Sequence, residues 1–326
     1  MITTPETPST EPLPADPPPA AAEAVISIRG LHKRYGDFEA VRGVDLEVRR
    51  GEIFAFLGPN GAGKTTVVEI LEGFRERTAG DVTVLGSDPA HAGGAWRDRV
   101  GVVLQESSAE PGLTVRECLE LYAGYYRAPR PIAETLELVG LTGKADTPGE
   151  ALSGGQRRRL DVALALVGDP ELIFLDEPTT GFDPSARRAA WDVVAGLRAL
   201  GKTVFLTTHY MDEAERLADR IAVIVAGEIV ASGTPATLGG RDRMDARIRF
   251  SPPAGAGPLP DALRPLAEDG ADGAVTLRSE SPLTHVGMLA DWAFRGGFDL
   301  PDLDVRRPTL EDVYLSLTTA DRKDRS

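Results

Sequence analysis

Residues Glu52–Thr66 read EIFAFLGPNGAGKTT: five apolar residues from Ile53, then a glycine-punctuated turn ending in Lys64 and two threonines. An apolar run of that length suits a strand buried on both faces of a parallel sheet. The turn has the spacing Gly58-x-x-x-x-Gly63-Lys64-Thr65, between this strand and a helix-forming stretch. Gly58, Pro59, Asn60, Gly61, Ala62, Gly63, Lys64, Thr65 and Thr66 therefore read as a phosphate loop. Glycines let backbone N–H groups curl toward an anion, the lysine reaches the outer phosphates, and the Thr65 hydroxyl is placed to ligate Mg²⁺. A bland glycine-rich strand-to-helix turn is the weaker reading in this context.

Similar apolar runs recur at Leu172–Leu175, Val204–Leu206 and Ile221–Val225, with helix-like stretches between them. Strand alternating with helix implies a layered α/β fold with right-handed crossovers. Two short strand-like runs, Val25–Ile28 and Val44–Val48, precede the loop. From about Asp88 to Val167 the pattern is mostly helical, with apolar residues three and four apart, and reads as a helical subdomain inserted into the sheet domain. After Gly239 a strand and a Pro/Gly linker open a small separate α+β region. The division expected is a Pro-rich disordered tail over 1–24, a nucleotide-binding domain over 25–239 and an accessory domain over 240–320.

Composition narrows the function. The chain has 326 residues and a formal charge of −14, which argues against nucleic acid as the main partner and against adsorption to anionic lipid. A single cysteine, Cys118, excludes an intrachain disulfide and fits a reducing compartment. Four scattered histidines offer no metal-site spacing. No apolar run reaches the length of a membrane span, and the acidic, proline-rich start lacks the features of a secretion signal, so a cytosolic protein is expected.

Further residues carry chemistry. In LIFLDEP the strand runs into Asp176, placed to hold Mg²⁺, and Glu177, placed to polarise a water. His209 ends the run TVFLTTH at the sheet edge where ligands bind, in reach of a γ-phosphate. Gln105 ends VGVVLQ and is either a contact to Mg²⁺ and the attacking water or a solvated glutamine. Tyr35 is either a stacking platform for a base or a half-buried ring between strands. Ser153, Gly154, Gly155 and Gln156 open a second helix and read as a second phosphate cradle. The run Arg157–Arg159 that follows reads as a solvated helix face.

In their order, Tyr35, Gly58–Thr66, Gln105, Leu152–Gln156, Leu172–Glu177, Asp183 and His209 resemble the motif series of ABC-type ATPases, over about Val25 to Gly239. Leu-Ser-Gly-Gly-Gln is that family's signature. Gly181–Pro184 resembles its D-loop, with Phe182 where leucine is more usual. Within the family, TTHYMDEAERLADRIAVI and the ending RRPTLEDVYLSLT resemble the ATPase subunits of bacterial ABC-2 type drug exporters of the daunorubicin-resistance group. The resemblance implies a P-loop fold, ATP and Mg²⁺ as cofactors, and a head-to-tail homodimer. Each ATP then lies between one chain's phosphate loop and the other chain's signature, which explains two cradles in one chain. It implies a separate membrane permease as partner and a place on the inner face of the membrane. The rival readings are an ABC ATPase working without a permease, in translation or repair, and a regulatory module that binds ATP without turnover. Near the end, a capping box from Thr309 to Asp312 opens a helix with Leu310, Val313, Tyr314 and Leu317 on one side. That stripe either closes the accessory domain's own core, the favoured reading, or docks on the cassette or a second subunit.

Overall fold

The computed structural model describes residues 23–103, 110, 112–270 and 272–315. Gln105, Leu317 and residues 1–22 of the expected tail lie outside them. Strands β1 (Ala24–Tyr35) and β2 (Phe38–Arg49) form an antiparallel hairpin, turning at Gly36 (φ 58°). The two short strands read from sequence are thus parts of two twelve-residue ones, broken in register by bulges that hide the alternation. β3 (Ile53–Leu57) follows, then α1 (Lys64–Leu71) and β4 (Ala79–Val84), which joins the hairpin on β1. After α2 (Gly94–Arg97), β5 (Val100–Val103) returns to the main sheet. The stretch from Asp88 to Val167 is therefore not one helical insert: it contributes a sheet strand before α3 (Val115–Ala123), α4 (Ile132–Leu138) and α5 (Gly154–Leu166).

Next come β6 (Leu172–Asp176), α6 (Pro184–Ala199), β7 (Thr203–Thr208), α7 (Met211–Leu217), β8 (Arg220–Val225) and β9 (Glu228–Gly233). The main sheet has the order β5-β6-β7-β3-β8-β9, parallel except for the β9 edge. Side chains alternate along β3: Phe54 and Phe56 join the core beneath the hairpin sheet, whereas Ile53 joins the core beneath α3 to α6. Phe205 of β7 lies 5.7 Å, centroid to centroid, from each of Phe54, Phe56 and Phe174, an aromatic knot at the sheet centre.

The chain then builds a second sheet from β10 (Ala246–Phe250), β11 (Ala267–Asp269), β12 (Val275–Ser279) and, after helix α8 (Pro282–Gly296), β13 (Asp304–Arg306). Its order is β11-β12-β10-β13, all antiparallel, and its core joins Ile248, Phe250 and Leu277 to Leu289 and Ala293 of α8. The capping box forms: Asp312 Oδ2 accepts from Thr309 N at 2.8 Å and Thr309 Oγ1 accepts from Asp312 N at 3.1 Å. The helical residues 310–315 do not close the sheet's own core, as the favoured reading had it. Leu310 and Tyr314 enter the cluster formed by Ala55 and Leu57 of β3, Ala214 of α7 and Ile221 and Val223 of β8. Arg241 fixes this return by donating to the Pro308 carbonyl at 2.7 Å and pairing with Glu215 of α7 at 2.7 Å. An apolar stripe demands burial but does not name its partner.

Candidate functional site

The parallel sheet gathers the candidate residues at the carboxyl ends of its strands. Leu57 is in register with Thr208, and Asp176 with Thr207, so the phosphate loop, the two acids and His209 emerge side by side. The loop is shaped by its neighbours. A Cβ on Gly58 would stand 2.4 Å from the Ile224 carbonyl oxygen, and one on Gly63 (φ 102°) 2.6 Å from that of Ala40. At both positions any larger residue would force the backbone to shift. The Lys64 side chain is 5% exposed; its ammonium donates to the carbonyls of Gly58 (2.8 Å) and Pro59 (3.3 Å) and lies 3.3 Å from Glu177 Oε1. Thr65 is exposed at the first turn of α1.

Asp176 accepts a hydrogen bond from the Thr207 hydroxyl. Glu177 sits in the left-handed region (φ 43°), which a non-glycine residue adopts at a cost, and its N–H is held by Thr207. From the other side Arg158 donates to the carbonyls of Pro178 (3.1 Å) and Asp176 (3.0 Å), gripping the backbone on both sides of Glu177. His209 Nδ1 lies 3.2 Å from Glu177 Oε2, in ion-pair range but without hydrogen-bond alignment. Burial pushes the Glu177 carboxyl up, but the charges of Lys64 and His209 outweigh it and hold the group below the usual carboxylate range. An ionised carboxylate at this place is chemically suited to take a proton from water.

A hollow of about 450 Å³ covers the loop, lined by Tyr35, Phe38, Ala40, Asn60, Gly61, Gly63, Lys64, Thr65, Thr66 and Glu177. Tyr35 is 40% exposed there, with Lys33 5.1 Å and Arg75 5.3 Å from its ring. Phe38, 62% exposed across the hairpin tip, was missed by sequence reading; an aromatic directly after the Gly36-Asp37 turn was the available signal.

The second cradle is elsewhere. Ser153 caps α5: its hydroxyl accepts from Gln156 N at 3.3 Å while Gln156 Oε1 accepts from Ser153 N at 3.0 Å. With Gly154, Gly155, Gly181, Phe182 and Asp183 it lines a hollow of about 420 Å³ that shares no lining residue with the first. A smaller hollow, touched by Gly154, Arg158 and Glu177, lies between them. Asp183 is spent on its own helix, accepting from Ser185 N at 2.8 Å and Ala186 N at 2.9 Å as the cap of α6. Arg158 corrects the reading of Arg157–Arg159 as a solvated face: it is buried, while its neighbours are half-buried. Position in a charge run gave no sign of this.

Residues 41–180 match the ABC transporter family, and residues 246–309 match the C-terminal domain of ABC transporter domain-containing proteins. The fold is that of a P-loop ATPase built as an ATP-binding cassette. The chain is 41% identical over 317 residues to the daunorubicin resistance ATP-binding protein DrrA3 of Streptomyces coeruleorubidus, covering 93% of this chain and 98% of that protein. It is 45% identical over 227 residues to the Nod factor export ATP-binding protein I of Ralstonia nicotianae, covering 68% of this chain and 70% of that one. A solved ATP-binding cassette, in a dimeric post-hydrolysis state bound to ADP and Pi, matches with a TM-score of 0.57 at 27% identity, covering 64% of this chain and 98% of its own. The chain belongs to the ABC transporter family, as an ATP-binding subunit that hydrolyses ATP. Among the described residues, no helix is long and apolar enough to cross a membrane.

Proposed function

We propose that two copies of this chain pair head to tail, each ATP held between the Gly58–Thr66 loop of one copy and Ser153–Gln156 of the other. The observation that carries this is the separation of the cradles: within one chain they line different hollows, and no described residue outside its own helix turn lies within 4 Å of a Cβ at Gly154. A solved cassette with the same fold is dimeric, which supports the pairing. The Thr65 hydroxyl and the Asp176 carboxylate form a hard-oxygen donor pair that fits Mg²⁺, with Gln105 as a further candidate. That ion supplies charge neutralisation on the phosphates. Lys64 binds the phosphates, Glu177 accepts a proton from the attacking water, His209 contacts the γ-phosphate, and Tyr35 with Phe38 flanks the base. Asp183, as the cap of α6, supports the rim of the second cradle.

The cassette over 25–239 powers a separate ABC-2 type permease at the inner face of the membrane, and the region from 240 serves assembly or regulation. Relatives named for daunorubicin resistance and Nod factor export favour an exported drug or other amphiphile as cargo. The test is Glu177→Gln. It should keep ATP affinity and lower turnover at least about 100-fold, because only proton acceptance is removed. Hydrolysis at the wild-type rate would refute the role of Glu177.

A further inference from the structure

Glu213 is a fully buried carboxyl on α7, four residues past His209. Among the described residues no lysine, arginine or histidine is within ion-pair distance of it. Its Oε1 accepts two hydrogen bonds, from the Thr179 hydroxyl at 2.7 Å and from the Trp191 indole N–H at 3.0 Å. The Thr208 hydroxyl faces the same carboxyl. Oε2 is buried without a hydrogen-bond partner among the described residues. An acid in such a place is costly, because a buried polar atom left unpaired has lost its hydration with no bond in exchange. Leucine or methionine would fill the space without that cost.

What the carboxyl joins explains its presence. Thr179 is two residues beyond Glu177, Thr208 is the residue before His209, and Trp191 lies on α6, the helix capped by Asp183. Three separate segments that carry the candidate chemistry therefore meet at one carboxyl, two of them bonded to the same oxygen. The Glu177 backbone is in a left-handed conformation that needs outside support, and His209 must stand within 3.2 Å of its carboxylate.

We propose that Glu213 is a positioning residue for ATP hydrolysis, tying the turn after Glu177 to the turn that carries His209 through its bonds to Thr179 and Trp191. The assignment rests on the roles proposed above for Glu177 and His209. Glu213 touches neither nucleotide nor water; it fixes the separation of the two groups that do. Burial pushes its carboxyl up, partly offset by the nearby Thr208 hydroxyl and the bonds from Thr179 and Trp191, so the acceptor oxygen matters rather than the charge.

The experiment uses the full chain, measuring ATP affinity with a fluorescent ATP analogue and steady-state kcat separately. Glu213→Ala should lower kcat about tenfold or more, with ATP affinity changed less than about twofold. Glu213→Gln, which keeps a carbonyl acceptor, should recover most of that kcat. Thr179→Val and Trp191→Phe, each removing a single bond, should give intermediate losses in kcat alone, and they decide the matter where Glu213→Ala does not fold. Unchanged kcat in Thr179→Val and Trp191→Phe overturns the assignment, as does a parallel fall of kcat and affinity in Glu213→Ala unrescued by glutamine. A wild-type chain that cleaves no ATP, alone or with its permease, would remove the reaction itself. That failure is visible before any variant is made.

Discussion

The two glycine-headed helices of this cassette look alike in sequence and differ in what confines them. At the head of α1, the backbone carbonyls of Ala40 and Ile224 press on Gly63 and Gly58, and Lys64 is drawn into the core of its own loop. At the head of α5, no described residue outside its own helix turn lies within 4 Å of where a Gly154 Cβ would stand, and at Gly155 the nearest such atom is the Ala186 methyl at 3.6 Å. The first cradle is shaped from inside by packing. Among the described residues nothing presses on the second in this way, which leaves its glycines open to an approaching group. A chain that presents a finished anion site and an open one is suited to complete each site with another copy.

The sharpest way to break this contrast is to damage each cradle separately. Lys64→Ala should weaken ATP binding by the lone chain by about 100-fold, since a charge-assisted contact to phosphate is lost. Ser153→Arg should leave that affinity unchanged yet abolish ATP-driven dimers of the Glu177→Gln protein in sedimentation. An equal loss of lone-chain affinity in both variants would mean that both cradles serve one nucleotide.

A smaller effect concerns α1 behind the first cradle. Glu72 is 8% exposed, and burial, with the charges of Asp176 and Glu69, pushes its carboxyl to about 8. With the folded value above the unfolded one, the stability this group contributes is complete below about pH 4.5 and lost as pH rises toward 8 and beyond. Glu72→Gln should therefore unfold like the wild type at pH 5 and be more stable at pH 9, by up to about 4 kcal/mol. Urea titrations at the two pH values measure it; a gain at pH 5 equal to that at pH 9 would count against a buried neutral acid.

Smaller still are the glycines themselves. Gly63→Ala, with its positive φ and a carbonyl in the way, should cost about 2–3 kcal/mol of stability. Gly154→Ala lies at the first turn of a helix in open space, and should change stability by less than about 1 kcal/mol, in the favourable direction. Its cost should appear in turnover. Equal destabilisation by the two substitutions would erase the distinction between the cradles.

Much of the catalytic edge was legible because it is local. An apolar run into a glycine turn, a lysine and a hydroxyl is one continuous motif, and its strand, loop and helix lie where Ile53–Thr66 put them. Acids or a histidine at the ends of LIFLDEP and TVFLTTH follow from the same logic, since a parallel sheet places all its strand ends on one edge. Arg158 and Glu213 were illegible for the opposite reason. A charged residue in a helical run reads as solvated, and its burial depends on carbonyls or hydroxyls about twenty to thirty-five residues away in the chain.

The alternation of strand and helix, the glycine-rich loop and the groups at the strand ends could be read before folding, because those depend on periodicity and on residues adjacent in the chain. Tertiary structure alone decided that the stripe beginning at Leu310 covers β3 and β8 rather than its own sheet, and that β5 leaves the helical stretch to close the main one. It also decided that Glu177 is gripped by Thr207 on one side and Arg158 on the other. Such pairings depend on which surfaces meet once the chain has folded, and hydrophobic burial, being non-directional, fixes that a face is covered without fixing by what.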